Sequence, residues 1–431
     1  MGVDVKPFID SQLRQTQYGG QPVFARKMKR GLQILLKMPL YILSVPAVLV
    51  IRLIRPWLLV RWRSMISARI GHFAGNTEMY LCEWDARINM PKQRHVDLCY
   101  MSYGRICNQQ LAIMWKRVLR IWPSWILGPI SRVNRMIPEG AVHEIGSNTQ
   151  SDRDVHNLLD RFPPHLEFTP EEEARGEAGI RAMGIPQGAH FACLIVRDSD
   201  YLGHYFPNGD WVYHNYRDCD IQNFIMAAEE LADRGYFVIR MGAKVREAMQ
   251  TLHPRVIDYA TNGMRNDFMD IYLGAKCDFC ISTSLGFDAV PTLFRRPIVY
   301  VNFAPLAFLV TYRKEVVLIT KKHISEERRS LTLREILSHD GGFCRNASDY
   351  EYKGVKLVEN TPEEIRDVVI EMAERLNGTW QPHEDDEALQ RRFWEIFPMD
   401  AVDITQGRPL HGEIRARYGA SFLRNNREWL K

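Results

Sequence analysis

The stretch Ala275-Lys-Cys-Asp-Phe-Cys-Ile-Ser-Thr-Ser-Leu-Gly-Phe-Asp-Ala-Val-Pro-Thr-Leu-Phe-Arg-Arg-Pro-Ile-Val-Tyr-Val301 reads as strand, glycine-bearing turn, short helix and second strand. Phe279 to Ser282 is a brief apolar run, and Ser282 to Gly286 supplies small residues where a backbone can approach a ligand. Phe287 to Phe294 has helical spacing, which Arg295-Arg-Pro297 ends before the β-branched run Ile298 to Val301. A strand end opening onto a helix N-terminus presents free backbone N–H groups and the positive end of a dipole, which suits a phosphate.

Outward from that stretch the pattern repeats. Phe191 to Val196, Tyr236 to Arg240 and Ile298 to Asn302 read as strands, and Ile221 to Arg234 and Asn266 to Ala275 as helices between them. Strands separated by helices predict a parallel, doubly wound sheet, which takes ligands at the carboxyl ends of its strands. Thr169-Pro-Glu-Glu-Glu combines an N-cap, Pro at the first helical position and acids in the first turn, so a helix starts there and runs to about Met183. Thr361-Pro-Glu-Glu starts another, and Glu384 opens a third that carries Leu389, Phe393 and Ile396.

The N-terminal half is less regular. Met65 to Ile70 and His95 to Met101 read as strands, 106–119 as a helix, Trp122 to Gly128 as a loop, and Arg161-Phe-Pro-Pro-His165 as an interdomain linker. A length of 431 residues is too great for one core. The expected organisation is a mobile N-terminus (1–25), a membrane-associated helical segment (26–63), an N-terminal domain (64–165), a C-terminal domain (166–382), and a returning helix with a tail (383–431).

The net charge of +4 hides an asymmetry: Ser11 to Thr77 holds eleven Lys or Arg and no acid, while 78–431 carries a net −6. That predicts an anionic partner surface for the N-terminal region, such as a membrane, and argues against a nucleic-acid binder overall. Met38 to Ile51 and Leu53 to Val60 are apolar runs interrupted by Pro46, Arg52 and Arg55-Pro56. Neither reaches the roughly 18–20 apolar residues of a spanning helix. Bracketed by Arg, Trp57 and Trp62, they suit a helix lying in the headgroup layer. A buried helical hairpin, an oligomer contact and a single kinked span are the alternatives. Eight cysteines, scattered mostly through apolar runs, fit a reducing compartment. Cys277 and Cys280 mimic a metal or redox pair, but residues three apart on a strand face opposite sides, so no metal is expected.

The turn at Ser282–Gly286, with Asp288, Pro291 and the following Arg-Pro, resembles the donor-binding turn in the C-terminal half of GT-B glycosyltransferases. Val196-Arg-Asp-Ser-Asp-Tyr201, Val238-Ile-Arg-Met-Gly242 and the run from Phe268 to Asp278 are similar to a bacterial glycosyltransferase family over about 69–398. The resemblance implies two Rossmann-like domains facing across a cleft, and a sugar moved from a nucleotide-sugar donor to a lipid-linked or cell-surface glycan acceptor. It also implies a place at the cytoplasmic face of a bacterial inner membrane, and a C-terminal helix crossing back to the first domain. The nucleotide sugar would be co-substrate, and no cofactor is expected. A nucleotide-sugar epimerase and a non-catalytic scaffold of a polysaccharide assembly are the alternatives. GDP-fucose does not follow, because Arg197 lacks the His-x-Arg context of fucosyltransferases.

Without a metal, the departing diphosphate needs Arg, Lys or helix N-termini. Arg197 and Arg240, at adjacent strand ends, are the expected phosphate clamps, with Arg265 as a third candidate. Ser282, Thr283, Ser284 and Gly286 form the expected phosphate turn, and Asp288 a contact to ribose or donor sugar. Both sets of residues could instead only cap a helix. Gly71-His-Phe-Ala-Gly-Asn-Thr-Glu78 is the analogous turn of the first half, where His72 or Glu78 would be the base for an inverting transfer. The aromatic loop 204–216 offers His204, Tyr205, Trp211 and His214 as platforms for a base or a pyranose, or as a lid packed on the sheet.

Overall fold

The computed structural model describes residues 38–88, 90–102, 104–145, 153–207, 209–403 and 407–431. The expected mobile N-terminus and the first part of the expected membrane segment lie outside these residues.

The chain forms two compact units. One comprises residues up to Ser64 with Pro91–Tyr103 and Arg120–Ile145; the other comprises Met65–Met90, Gly104–Leu119 and everything from Gly146. These boundaries differ from a cut near residue 165. Residues 65–90 and 104–119 belong with the C-terminal sheet, and so does the expected linker. Arg295 fixes that linker with hydrogen bonds to the Phe162 carbonyl (3.1 Å) and the Pro163 carbonyl (3.0 Å).

The smaller unit pairs β1 (Leu59–Met65) with β2 (His95–Met101), and single parallel bridges, Trp62–Glu144 and Cys99–Ile121, widen this ribbon. Val60, Trp62, Tyr100 and Leu127 form its core, with Ile51, Ile54 and Ile130 packed against them. The strand expected over 65–70 lies earlier, where Leu59, Val60, Trp62 and Met65 are all buried. The loop expected at 122–128 is mostly helix, Ser124–Met136, which starts directly after Pro123. Burial of Leu127, Pro129 and Val133 on this helix outweighs the backbone hydrogen bond that Pro129 removes.

In the larger unit seven strands make one sheet. Its first six in chain order are β3 (Phe191–Ile195), β4 (Phe237–Arg240), β5 (Val256–Ile257), β6 (Phe279–Ser282), β7 (Ile298–Phe303) and β8 (Val316–Thr320). Across the sheet the order is Arg417–Tyr418, β8, β7, β6, β3, β4, β5, and every pairing is parallel. Strands β3, β6, β7 and β8 are buried along their whole length, as continuous apolar runs between covering layers must be. The six main strands therefore run third, second, first, fourth, fifth, sixth, the Rossmann order. Its direction reverses between β3 and β6, so the crevice for a ligand opens at their carboxyl ends.

The helix expected from Thr169-Pro is Pro170–Ala182 and that from Thr361-Pro is Pro362–Asn377, each opened by a full capping box. The helix Asp386–Ile396 was expected to return to the first domain. It packs instead on Arg417–Tyr418 and the helix Ala420–Asn425, with Gln390 bonded to both backbone polar groups of Tyr418.

Candidate functional site

The switch point is built from the residues that follow β3 and β6. The backbone N–H of Arg197 donates to Oγ1 of Thr283 at 2.9 Å, tying the two strand ends together. Ser284 takes a left-handed φ of 59°, and its carbonyl accepts from the Arg217 guanidinium. Ser282 Oγ donates to Asp288 (3.1 Å) and accepts from the Ser284 N–H (3.0 Å), while the Leu285 N–H donates to Asp288 (3.0 Å). The Ser284 and Leu285 N–H groups are thus satisfied within the turn. Asp288 closes the turn, and the N–H groups expected to meet a phosphate are already occupied by side chains.

Gly286 has a different constraint. A Cβ on Gly71 would lie 2.9 Å from the Gly286 Cα, and one on Gly286 would lie 3.2 Å from the Gly71 nitrogen. The two glycine-bearing turns singled out in the sequence therefore meet backbone to backbone. His72 begins the π-helical turn His72–Asn76, bonds Asn76 Oδ1 at 3.2 Å, and rides on a segment packed against Ala289–Leu293.

Four arginines surround His214. Burial and the nearby guanidiniums of Arg197, Arg217, Arg69 and Arg345 push its imidazole down to about 4, so it is neutral. Its Nδ1 is buried without a hydrogen-bond partner, as are Nε of Arg197 and Nε of Arg217. Arg197 lies 3.2 Å from Asp218, close enough for an ion pair but out of line for a hydrogen bond. Burial lowers the Arg197 guanidinium, with Arg217 adding to the effect, and burial raises the Asp218 carboxyl. Each partner is drawn toward its neutral form, so their mutual attraction does not offset desolvation. Arg345 is already paired with Asp403 at 3.5 Å. What remains is a net positive, half-buried cluster with donors unmet on Arg197 and Arg217, at the rim where a doubly wound sheet takes its ligand.

The other expected clamps are committed elsewhere. Arg240 is 2% exposed and donates to the Glu247 carbonyl (2.7 Å) and to Asp258 (3.0 Å). A guanidinium so enclosed positions the 247–258 segment and has no face for a diphosphate. Arg265 pairs with Asp270 at 2.6 Å, and burial raises that carboxyl to about 6.

Glu78 is also enclosed. Arg295 Nη2 (2.5 Å) and His165 Nδ1 (3.1 Å) both reach its Oε1, and His165 Nε2 bonds Asp85 at 3.0 Å. With carboxylates on both nitrogens the imidazole of His165 is raised toward its charged form. Two cations and two anions balance there, and Glu78 acts as an anchor. Glu78, Cys82 and His165 also have the spacing of a metal-ligand set, but Arg295 already occupies the carboxylate and lies 3.6 Å from Cys82 Sγ. Cys277 and Cys280 are buried free thiols.

The aromatic loop divides into two. The Arg105 guanidinium covers Tyr205 at 3.6 Å, with His204 against the same ring at 4.7 Å. Trp211 bonds the Phe206 carbonyl and lies beneath Arg69 at 5.8 Å, while the Tyr213 ring lies tilted against His214 at 3.9 Å. Only the second half joins the arginine cluster. Arg217 and Arg69 carry no motif of their own. Only the fold brings them to Arg197, which is why sequence reading missed them.

No family model matches the chain, and no curated protein does. Similar solved structures include a glycosyl transferase family 9 protein from Veillonella parvula DSM 2008, with 10% identity over 74% of this chain and 97% of that one and a TM-score of 0.42. The E. coli ADP-heptose LPS heptosyltransferase II is similar at 12% identity over 60% and 90% of the two chains, with a TM-score of 0.32. An E. coli heptosyltransferase solved with ADP-2-deoxy-2-fluoro heptose follows at 10% identity over 60% and 93%, with a TM-score of 0.26. At such scores the likeness assigns no residue of the present chain a role.

Proposed function

We propose that the chain is a nucleotide-sugar-dependent glycosyltransferase of GT-B type, acting at the cytoplasmic face of a bacterial membrane on a lipid-linked or surface-glycan acceptor. The observation that carries the reading is the half-buried group of Arg197, Arg217 and His214, with unpartnered buried nitrogens and the exposed Arg69 beside it, at the switch point of a parallel sheet. A pyrophosphate supplies the two things the cluster lacks, negative charge and acceptor oxygens. As the glycosidic bond to the donor breaks, charge grows on the leaving diphosphate, and the fixed guanidiniums stabilise it without reorganising.

In this scheme Arg197 and Arg217 bind the phosphates, and Ser284 and Thr283 hold those arginines in place. Trp211 and Tyr213 flank the base or sugar. His72, beside the Gly71–Gly286 contact, is the proposed base that takes the proton of the acceptor hydroxyl. The sugar carbon exchanges its bond to the diphosphate oxygen for one to the acceptor oxygen.

The test is a panel of nucleotide sugars screened by melting temperature, since a ligand bound only to the folded state must raise it. The hit is then offered, labelled in its sugar, with membrane lipids as acceptor. Label transferred to lipid by the wild type, and lost in His72→Gln with donor binding intact, supports the scheme. A flat melting profile across every nucleotide removes it.

A further inference from the structure

The helical residues 38–53 turn their apolar side outward. Ser44 and Val48 are buried, and Ile51 and Ile54 pack on the core of the smaller unit, which fixes the helix's orientation. Arg52 locks its end by donating to Asn134 Oδ1 (3.0 Å), the Ile137 carbonyl (3.1 Å) and the Pro138 carbonyl (2.7 Å). Met38, Ile42, Val45, Leu49 and Leu53 follow one another at helical spacing, and all are exposed. Trp57 comes next and, like Leu53, is 72% exposed; Trp122 and Trp125 of the same unit are exposed too. No helix among the described residues is long and apolar enough to cross a membrane. Immediately before this helix, residues 26–37 contain Arg26, Lys27, Lys29, Arg30 and Lys37 and no acid.

A fixed apolar stripe with a basic flank and indole rings matches one partner in both polarity and charge. We infer that the outward face of residues 38–57 docks in the headgroup layer of an anionic lipid bilayer, with Ile42, Val45, Leu49 and Leu53 inserted. The apolar stripe supplies depth of insertion and the basic flank supplies preference for anionic lipid. A second copy of the chain is the competing occupant. It is disfavoured because the basic flanks of two identical chains would repel. The inference deepens the acceptor side of the proposed transfer, but it involves residues outside the arginine cluster.

The test is co-sedimentation of the full chain with phosphatidylcholine vesicles, with and without phosphatidylglycerol, for the wild type and for Leu49→Asp/Leu53→Asp. The expected result is binding that needs phosphatidylglycerol, weakens as salt rises and falls at least about tenfold in the double variant, with a blue shift of Trp fluorescence on binding. Melting temperature and the nucleotide response report whether that variant folds. If it does not, Ile42→Gln/Leu49→Gln replaces it with the same expected loss. Equal sedimentation of folded variant and wild type overturns the inference. So does binding indifferent to phosphatidylglycerol, or a dimer in solution that the variant dissociates while vesicles bind neither protein. Loss of nucleotide response with lipid binding intact would instead count against the transfer reading alone.

Discussion

Replacing Arg217 by Met separates binding from folding, and Arg240→Met is its counterpart. Arg217 has one hydrogen bond, to the Ser284 carbonyl, and no carboxylate within ion-pair distance among the described residues. Losing that bond costs on the order of 1 kcal/mol. Removing a charge that disfavours the buried Arg197 guanidinium returns a similar amount. The melting temperature of Arg217→Met should therefore stay within a few degrees of wild type, while a lost charged hydrogen bond to phosphate, about 1.5–3 kcal/mol, weakens nucleotide binding roughly 10- to 150-fold. Arg240→Met leaves the half-buried Asp258 beside an apolar chain, which costs about 3–5 kcal/mol and lowers the melting temperature of so large a unit by roughly 4–7 °C. Calorimetric titration with the best nucleotide and thermal melting of both variants read the two effects. Wild-type affinity in Arg217→Met, or a wild-type melt in Arg240→Met, refutes the reasoning.

Three other outcomes follow from the same contacts. Glu78→Gln should lower stability by about 3–5 kcal/mol in chemical denaturation, because Arg295 and His165 lose their shared anchor; a variant that folds normally but turns over no sugar would restore Glu78 as a base. Gly71→Ala should cost about 1–3 kcal/mol, since the new methyl meets the Gly286 backbone, and a neutral result would mean the two turns can part. Asp270, raised to about 6, holds a proton in the folded state that the unfolded chain releases above about 4, so its contribution to stability rises as pH falls through 6. The gain between pH 7 and 4 is at most about 3 kcal/mol. Urea midpoints at pH 7 and pH 5 should show it in wild type and not in Asp270→Asn, and equal changes in both would contradict it.

Much of the larger unit was legible in the sequence. The strand Phe279–Ser282 and the helices opened by Thr169-Pro and Thr361-Pro lie where periodicity and capping residues put them, since local signals decide such elements. In the smaller unit His95–Met101 was equally plain. Ser124–Met136 was hidden by Pro123 and Pro129, whose local cost is outweighed only by tertiary burial. The tail beyond 399 showed no pattern because its strands, Val402–Asp403, Arg408–Pro409 and Arg417–Tyr418, are two residues long each and exist only by pairing, the first two with each other and the third with β8. The candidate site divides the same way. Arg197 and the turn after β6 follow from strand ends, whereas Arg69, Arg217 and Asp218 come together only through the folded loop. Arg240 looked equivalent to Arg197 in sequence, and only its contacts with Glu247 and Asp258 show that it is structural.

The position of a bound diphosphate tests the central claim most directly, in a crystal of the full chain soaked with the nucleotide that most raises its melting temperature. The account predicts phosphate oxygens within hydrogen-bond reach of Nε of Arg197 and Nε of Arg217, beside Nδ1 of His214 at the carboxyl ends of β3 and β6. Fully occupied phosphates elsewhere, with those three nitrogens still unpartnered, would contradict it.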